Sequence, residues 1–146
     1  PNGAPANIFP LICQVALGLK EKLYEYGNDW PTEDGTCRRD FIHIVDLAEA
    51  HKKAIEYLIE SNKSKLILNI GTGKSNSVLE LINTFEYVNK IKIKYEFTDR
   101  RNGDIAESLA DTNKTSKILN WKPKRTVEDM CRDGWRWQKN YIKNTL

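Results

Sequence analysis

Residues 99–104, Asp-Arg-Arg-Asn-Gly-Asp, bring together side-chain types suited to a phosphorylated sugar. The guanidinium groups of Arg100 and Arg101 present planar forks of donors that match phosphate oxygens. Asn102-Gly103-Asp104 is a turn-forming triplet, and a carboxylate just beyond a turn can accept hydrogen bonds from vicinal sugar hydroxyls. An arginine pair with an aspartate therefore makes a clamp for a nucleotide diphosphate. Taken alone, the segment reads more readily as a solvated charged hairpin; its company elsewhere reverses that order. Upstream, Asp34-Gly35-Thr36-Cys37-Arg38-Arg39-Asp40 sets an arginine at the start of a strand, just after a glycine turn. Arg39 and Arg101 could clamp one anion between them. The competing reading is a structural ion pair of Arg39 with Asp40 or with Asp46.

Other chemistries find less support. Gly71-Thr72-Gly73-Lys74-Ser75 catches the eye as a phosphate-binding loop, but that pattern needs a glycine where Leu68 stands. A glycine turn between strand and helix is the better reading. His43 and His51 have no carboxylate or cysteine at ligand spacing, so neither a metal site nor a catalytic triad is expected. Trp121, Trp135 and Trp137 read as packing aromatics. Cys13, Cys37 and Cys131 are odd in number and far apart, which predicts reduced thiols in a cytoplasmic protein and no structural zinc.

The elements that must carry these residues alternate between strands and helices. The spacing predicts helices over 8–19, 46–60, from Ser77 through Phe85, 113–119 and 127–143, and strands over 23–26, 39–45, 66–70 and 91–97. Asn7 stands where it can cap the first helix, Asp46 with Glu49 and Ser77 with Glu80 form capping boxes, and Met130, Gly134, Trp137 and Tyr141 form a stripe on the last helix. The result is an α/β layering. The 146 residues, with 40% hydrophobic and 29% charged content, describe an ordinary globular domain. A net charge of +3 spread along the chain does not argue for nucleic acid, and no such partner is expected; no apolar run approaches the ~20 residues that span a bilayer. The start at Pro1, in the loop-like PNGAPAN, predicts that the sequence is the middle of a longer protein.

The segments ANIFPLICQVALGLKEKLYEYGNDWPTEDGTCRRDFIHIVDLAEAH, LNIGTGKSNSVLELINTF, RRNGDIAES and TVEDMCRDGWRWQ resemble, in order and spacing, the C-terminal part of the UDP-glucose (UDP-galactose) 4-epimerases. Those enzymes belong to the extended short-chain dehydrogenase/reductases. The resemblance covers essentially the whole chain. It implies the UDP-sugar-binding portion, residues 1–146, with one strand–helix segment (39–60) that would belong to the Rossmann domain of the complete enzyme. It also implies NAD bound by an absent N-terminal domain, and interconversion of UDP-galactose and UDP-glucose by oxidation and reduction at C4. The family's glycine-rich NAD loop is missing here, and no tyrosine has a lysine four residues on, so the chain carries no catalytic residue and should not turn over alone. Residue by residue, Asn7, Arg39 and Arg101 match the family's diphosphate ligands. Tyr24 and Tyr26 match the positions that hold uracil, Tyr26 replacing the usual Phe, and Asp104 matches the ribose ligand. Ser108 occupies a hexose-side position often held by Tyr or Cys, which suggests that UDP-GalNAc and UDP-GlcNAc are accepted as well. A UDP-hexose is then the small-molecule partner and the complete enzyme a homodimer. A related sugar-nucleotide dehydratase or decarboxylase, and a stand-alone binding module, remain the alternatives.

Overall fold

The structure is a computed structural model that describes residues 7–145; the loop read at 1–6 lies outside it. Among the described residues the chain runs α1 (Ile8–Ala16), β1 (Leu23–Tyr26), β2 (Arg38–Arg39), α2 (Ile44–Ser61), β3 (Asn76–Ser77), α3 (Val78–Asn89), β4 (Tyr95–Thr98), β5 (Glu107–Ser108), α4 (Asn113–Leu119) and α5 (Val127–Thr145). β1 pairs in parallel with β4, Leu23 opposite Tyr95 and Tyr26 opposite Thr98. β2 lies between β3, antiparallel, and β5, parallel. The α/β class expected from the alternating pattern is the class observed.

The core lies between α1, α3 and α5. Ile12, Leu81, Ile82, Phe85 and Cys131 are fully buried there, and Phe85 meets Phe9 and Trp135 edge-on at centroid distances of 6.1 and 5.7 Å. A second cluster under α2 gathers Ala50, Leu119 and Trp121 with Leu66, Leu68 and Ile70. α3 opens on the expected capping box: the Ser77 hydroxyl accepts from the Glu80 amide, while the Glu80 carboxylate accepts from the Ser77 amide.

Several elements differ from the sequence expectation. α1 ends three residues early because Gly18 takes a positive φ of 73° behind it. The strand expected over 39–45 shrinks to Arg38–Arg39, and α2 begins at Ile44, not Asp46. His43 is the cap: its Nδ1 accepts from the Val45 amide at 3.1 Å. Asp46 is instead drawn into the interior, where it accepts from the backbone amides of Lys124 and Arg125 at 3.0 and 2.8 Å and from the Arg125 guanidinium. The stretch 66–70, expected as a strand, joins no ladder among the described residues. On α5 the buried stripe runs through Cys131 and Trp135, one position off the expected one, because these face α3; Trp137 is 62% exposed and stacks on Tyr141.

Candidate functional site

A cavity of about 440 Å³ opens where the start of α1, the end of β1, β2 and the β4–β5 loop converge. Its volume falls in the range of small-molecule sites. Asn7, Tyr24, Tyr26, Arg39, Arg101 and Asp104 all line it, together with Ile8, Phe9, Leu11, Glu25, Cys37, Phe41 and Val78. Six of the seven residues singled out from the sequence thus share one cavity, although they come from four separate stretches. Ser108 is placed differently. It is exposed and lines a neighbouring cavity of about 500 Å³ with Asp40, Leu68, Asn69, Ile70 and Ala110, and Arg39 is common to both.

Local folding explains each position. Asn7 occupies the N-cap of α1 with extended backbone, yet its side chain makes no capping bond, so the amide stands at the cavity mouth. Tyr26 ends β1 at Gly27, whose φ of 86° turns the chain; a Cβ there would come within 2.7 Å of Arg100 and 2.6 Å of Trp30. Trp30 donates to the Tyr26 carbonyl at 3.2 Å, and Arg100 lies 4.0 Å over the Trp30 ring while pairing with Asp29 at 2.7 Å. Of the adjacent arginines, then, Arg100 has a structural role and Arg101 reaches the cavity. Arg101 packs its guanidinium 3.6 Å from the Tyr26 ring centre, a cation–π contact, and among the described residues it makes no ion pair.

Arg39 is anchored more firmly. Its Nη1 donates to the carbonyls of Arg38 and Ile105 at 2.8 and 2.9 Å, and its Nη2 stands 3.5 Å from Asp104. Its ion partner is thus neither Asp40 nor Asp46. The Asp40 carboxylate turns instead to the Gly71-Thr72-Gly73 bend. It accepts from the Thr72 amide and hydroxyl at 2.8 and 2.6 Å and from the Gly73 amide at 3.0 Å. With those amides already engaged, the bend offers no cradle for a phosphate, in agreement with its reading as a structural turn. Arg38, next to Arg39, points away from the cavity to Ser75, Glu80 and Glu107.

Two lining groups went unnoticed in the sequence. Glu25 is only 4% exposed and lines the cavity, and among the described residues its carboxylate accepts no hydrogen bond. Burial pushes its pKa up to about 7; Arg101 and Arg39 oppose the rise and Asp104 and Asp34 add to it. A strand's period of two could have revealed it, because Glu25 shares a face with buried Leu23 where an apolar residue is expected. Cys37 is the other. Burial raises its pKa, so it stays a thiol and lacks the thiolate character of a nucleophile. Glycine-rich nucleotide loops and clusters of metal-ligating side chains are absent among the described residues, and no helix there is long and apolar enough to cross a membrane. His43 and His51 keep structural roles, His51 through its Nδ1 contact to the Leu47 carbonyl at 2.8 Å.

Comparison with known proteins decides the kinship. The model of the GDP-mannose 4,6 dehydratase family matches residues 1–134. The chain belongs to this family. Within it the similarity is to UDP-glucose 4-epimerases, as the sequence resemblance indicated. The UDP-glucose 4-epimerase of Bacillus subtilis (strain 168) is 49% identical over 142 residues, covering 97% of this chain and 42% of that protein. The UDP-glucose 4-epimerase of Stenotrophomonas maltophila, solved with NAD and formylated UDP-arabinopyranose, superposes with a TM-score of 0.94 at 42% identity, covering 99% of this chain and 43% of that one. The Bifidobacterium longum enzyme, in complex with NAD+ and UDP, gives a TM-score of 0.89 at 40% identity over 97% of this chain and 42% of that one. The chain therefore spans less than half the length of the curated relatives it matches.

Proposed function

We propose that this chain forms the UDP-hexose-binding part of a UDP-glucose 4-epimerase, which interconverts UDP-galactose and UDP-glucose by NAD-dependent oxidation and reduction at C4. One observation carries the reading: an amide, two tyrosines, two arginines and an aspartate from four stretches of chain converge on one 440 Å³ cavity, in a chain close to epimerases along its whole length. Arg39 and Arg101 take the diphosphate, with Asn7 beside them. Tyr24 and Tyr26 give the uracil its aromatic wall, and Asp104, held next to Arg39, accepts from the ribose hydroxyls. Because Asp104 is 3.5 Å from Arg39, the ribose and the phosphates of one nucleotide meet adjacent partners.

The residues described do not fit NAD. The Gly71-Thr72-Gly73 bend directs the amides of Thr72 and Gly73 to Asp40, so on this reading the cofactor's place is in the remainder of the complete protein, and this chain alone binds without turnover. The complete protein, on this reading, is a cytoplasmic homodimer with no nucleic-acid or membrane partner; the three unpaired cysteines support a reducing compartment. Ser108, small and exposed beside Arg39, leaves its neighbouring cavity open, which supports acceptance of UDP-GalNAc and UDP-GlcNAc in addition to the plain hexoses.

The family model's description favours a second reading, a sugar-nucleotide dehydratase. Incubating the complete protein with UDP-galactose and analysing products by mass and by sugar separates the two. UDP-glucose of unchanged mass is expected. A product lighter by one water would establish the dehydratase, and no reaction together with no binding of UDP would overturn both.

A further inference from the structure

We propose that Glu25 couples nucleotide binding to proton uptake: its buried carboxylate shares the cavity's two arginines with the incoming diphosphate and takes a proton when the diphosphate engages them. The inference rests on the cavity being the diphosphate site. Glu25 lies on the inward face of β1, 4% exposed, and the cavity floor gives it no hydrogen-bond donor among the described residues. The charged groups facing it are Arg101 and Asp104 from the β4–β5 loop, Arg39 from β2 and Asp34 from the β1–β2 loop, and the titratable neutral groups are the Cys37 thiol, which burial keeps protonated, and the two tyrosines Tyr24 and Tyr26. The α1 side of the cavity contributes Asn7, Ile8, Phe9 and Leu11, none of which titrates.

Asp34 is engaged elsewhere, accepting from the Thr36 amide and hydroxyl at 2.9 and 2.8 Å and from the Ser77 hydroxyl. Asp104 stays beside Arg39. The cavity thus sets two guanidinium groups, Arg39 and Arg101, against two carboxylates, Asp104 and Glu25, and the Glu25 carboxylate opens on the cavity with no hydrogen-bond donor among the described residues. A diphosphate diester carries two negative charges of its own and draws on the same two cations. An uncompensated buried carboxylate is costly and relieves the cost by protonating. The step is a single proton moving from solvent to a Glu25 oxygen. It forms one O–H bond, breaks one O–H or N–H bond of water or buffer, and involves no redox change. The free carboxyl titrates at about 7, so an added anion beside it moves protons in the neutral range.

The test is calorimetric titration of UDP-glucose into the complete protein. This ligand's diphosphate is a diester and does not itself titrate near neutrality. Running each pH in two buffers of different ionisation enthalpy counts the protons taken up. The expected result is uptake of a substantial fraction of a proton at pH 7.5. For a ligand that binds the protonated form alone, Kd should weaken by up to about 30-fold between pH 6 and 8.5. In Glu25→Gln the uptake should vanish and Kd should be nearly independent of pH, tighter than wild type at pH 8.5. Glu25→Asp, which keeps the acid, should keep the uptake. Binding with no proton uptake, or with uptake that survives in Glu25→Gln, overturns the inference and leaves the site assignment standing. Failure of UDP-glucose to bind at any pH overturns the site assignment and the inference with it.

Discussion

Replacing Arg101 by alanine should weaken UDP binding while leaving the fold nearly untouched, and the contrast with Arg39 makes the test specific. Arg39 donates to two backbone carbonyls at 2.8 and 2.9 Å and faces Asp104 at 3.5 Å, so much of its donor capacity is engaged by the protein itself. Arg101 only rests on the Tyr26 ring at 3.6 Å. Its donors are therefore open to a ligand, and the ring keeps the guanidinium in place without competing for its hydrogen bonds. A charge-assisted hydrogen bond contributes roughly 1.5–3 kcal/mol. Arg101 is exposed, and solvent screening reduces such contacts, so a bidentate contact to phosphate is taken as about 2 kcal/mol, or about 30-fold in Kd. Titration calorimetry with UDP, paired with urea unfolding of the same samples, measures both sides. Arg101→Ala should raise Kd by about that factor with little change in the unfolding midpoint. Arg101→Lys should recover only part, since an ammonium is a point charge without the planar fork. Arg39→Ala should lower affinity and stability together. A Kd within twofold of wild type for Arg101→Ala would refute the reasoning, because the cavity would then hold no phosphate at that guanidinium.

Asp46→Ala should destabilise the protein by about 3 kcal/mol in urea unfolding, since it removes a fully buried carboxylate that holds two backbone amides and the Arg125 guanidinium. Burial alone would raise the pKa of Asp46, but those hydrogen bonds outweigh it and hold the carboxyl below its usual 3.8; its stabilisation is thus complete above that pH and is lost as pH falls below it, a loss that should be absent in the variant. Glu25 has the opposite sign: with its value raised from 4.5 to about 7, stability should fall as pH rises through that interval and level off above it, and urea midpoints of Glu25→Gln between pH 5 and 8 should lack that slope. Ser108→Tyr should abolish turnover of the N-acetylated UDP-sugars by the complete protein and retain that of UDP-glucose and UDP-galactose; equal turnover of both pairs in the variant would show that this side chain does not border the sugar.

Much of the architecture was determined by local sequence. The Ser77–Glu80 capping box and the short helix Asn113–Leu119 follow from signals that act within a few residues and need no distant partner, and the strand Leu23–Tyr26 was legible from its β-forming residues although its ladder partner, Tyr95–Thr98, comes from far along the chain. Six of the residues that line the cavity were also visible as types, since guanidinium, aromatic, amide and carboxylate groups stand out in the sequence as side chains suited to binding. Long-range packing decided the rest. Asp46 looked like a cap and became a buried anchor because residues 124–125 arrive from the other end of the chain with two amides and a guanidinium. The buried stripe of α5 shifted by one residue because α3 approaches it from the side of Cys131 and Trp135. Arg100 and Arg101 are neighbours of one type, yet only the turn at Gly27, with Asp29 and Trp30 beyond it, sends the first to a structural ion pair and leaves the second to the cavity. Glu25 shows the limit most clearly. A charge on the inward side of a strand can be recognised in the sequence as out of place, but the arginines that give it a purpose lie on other strands and loops, and only tertiary folding brings them within reach.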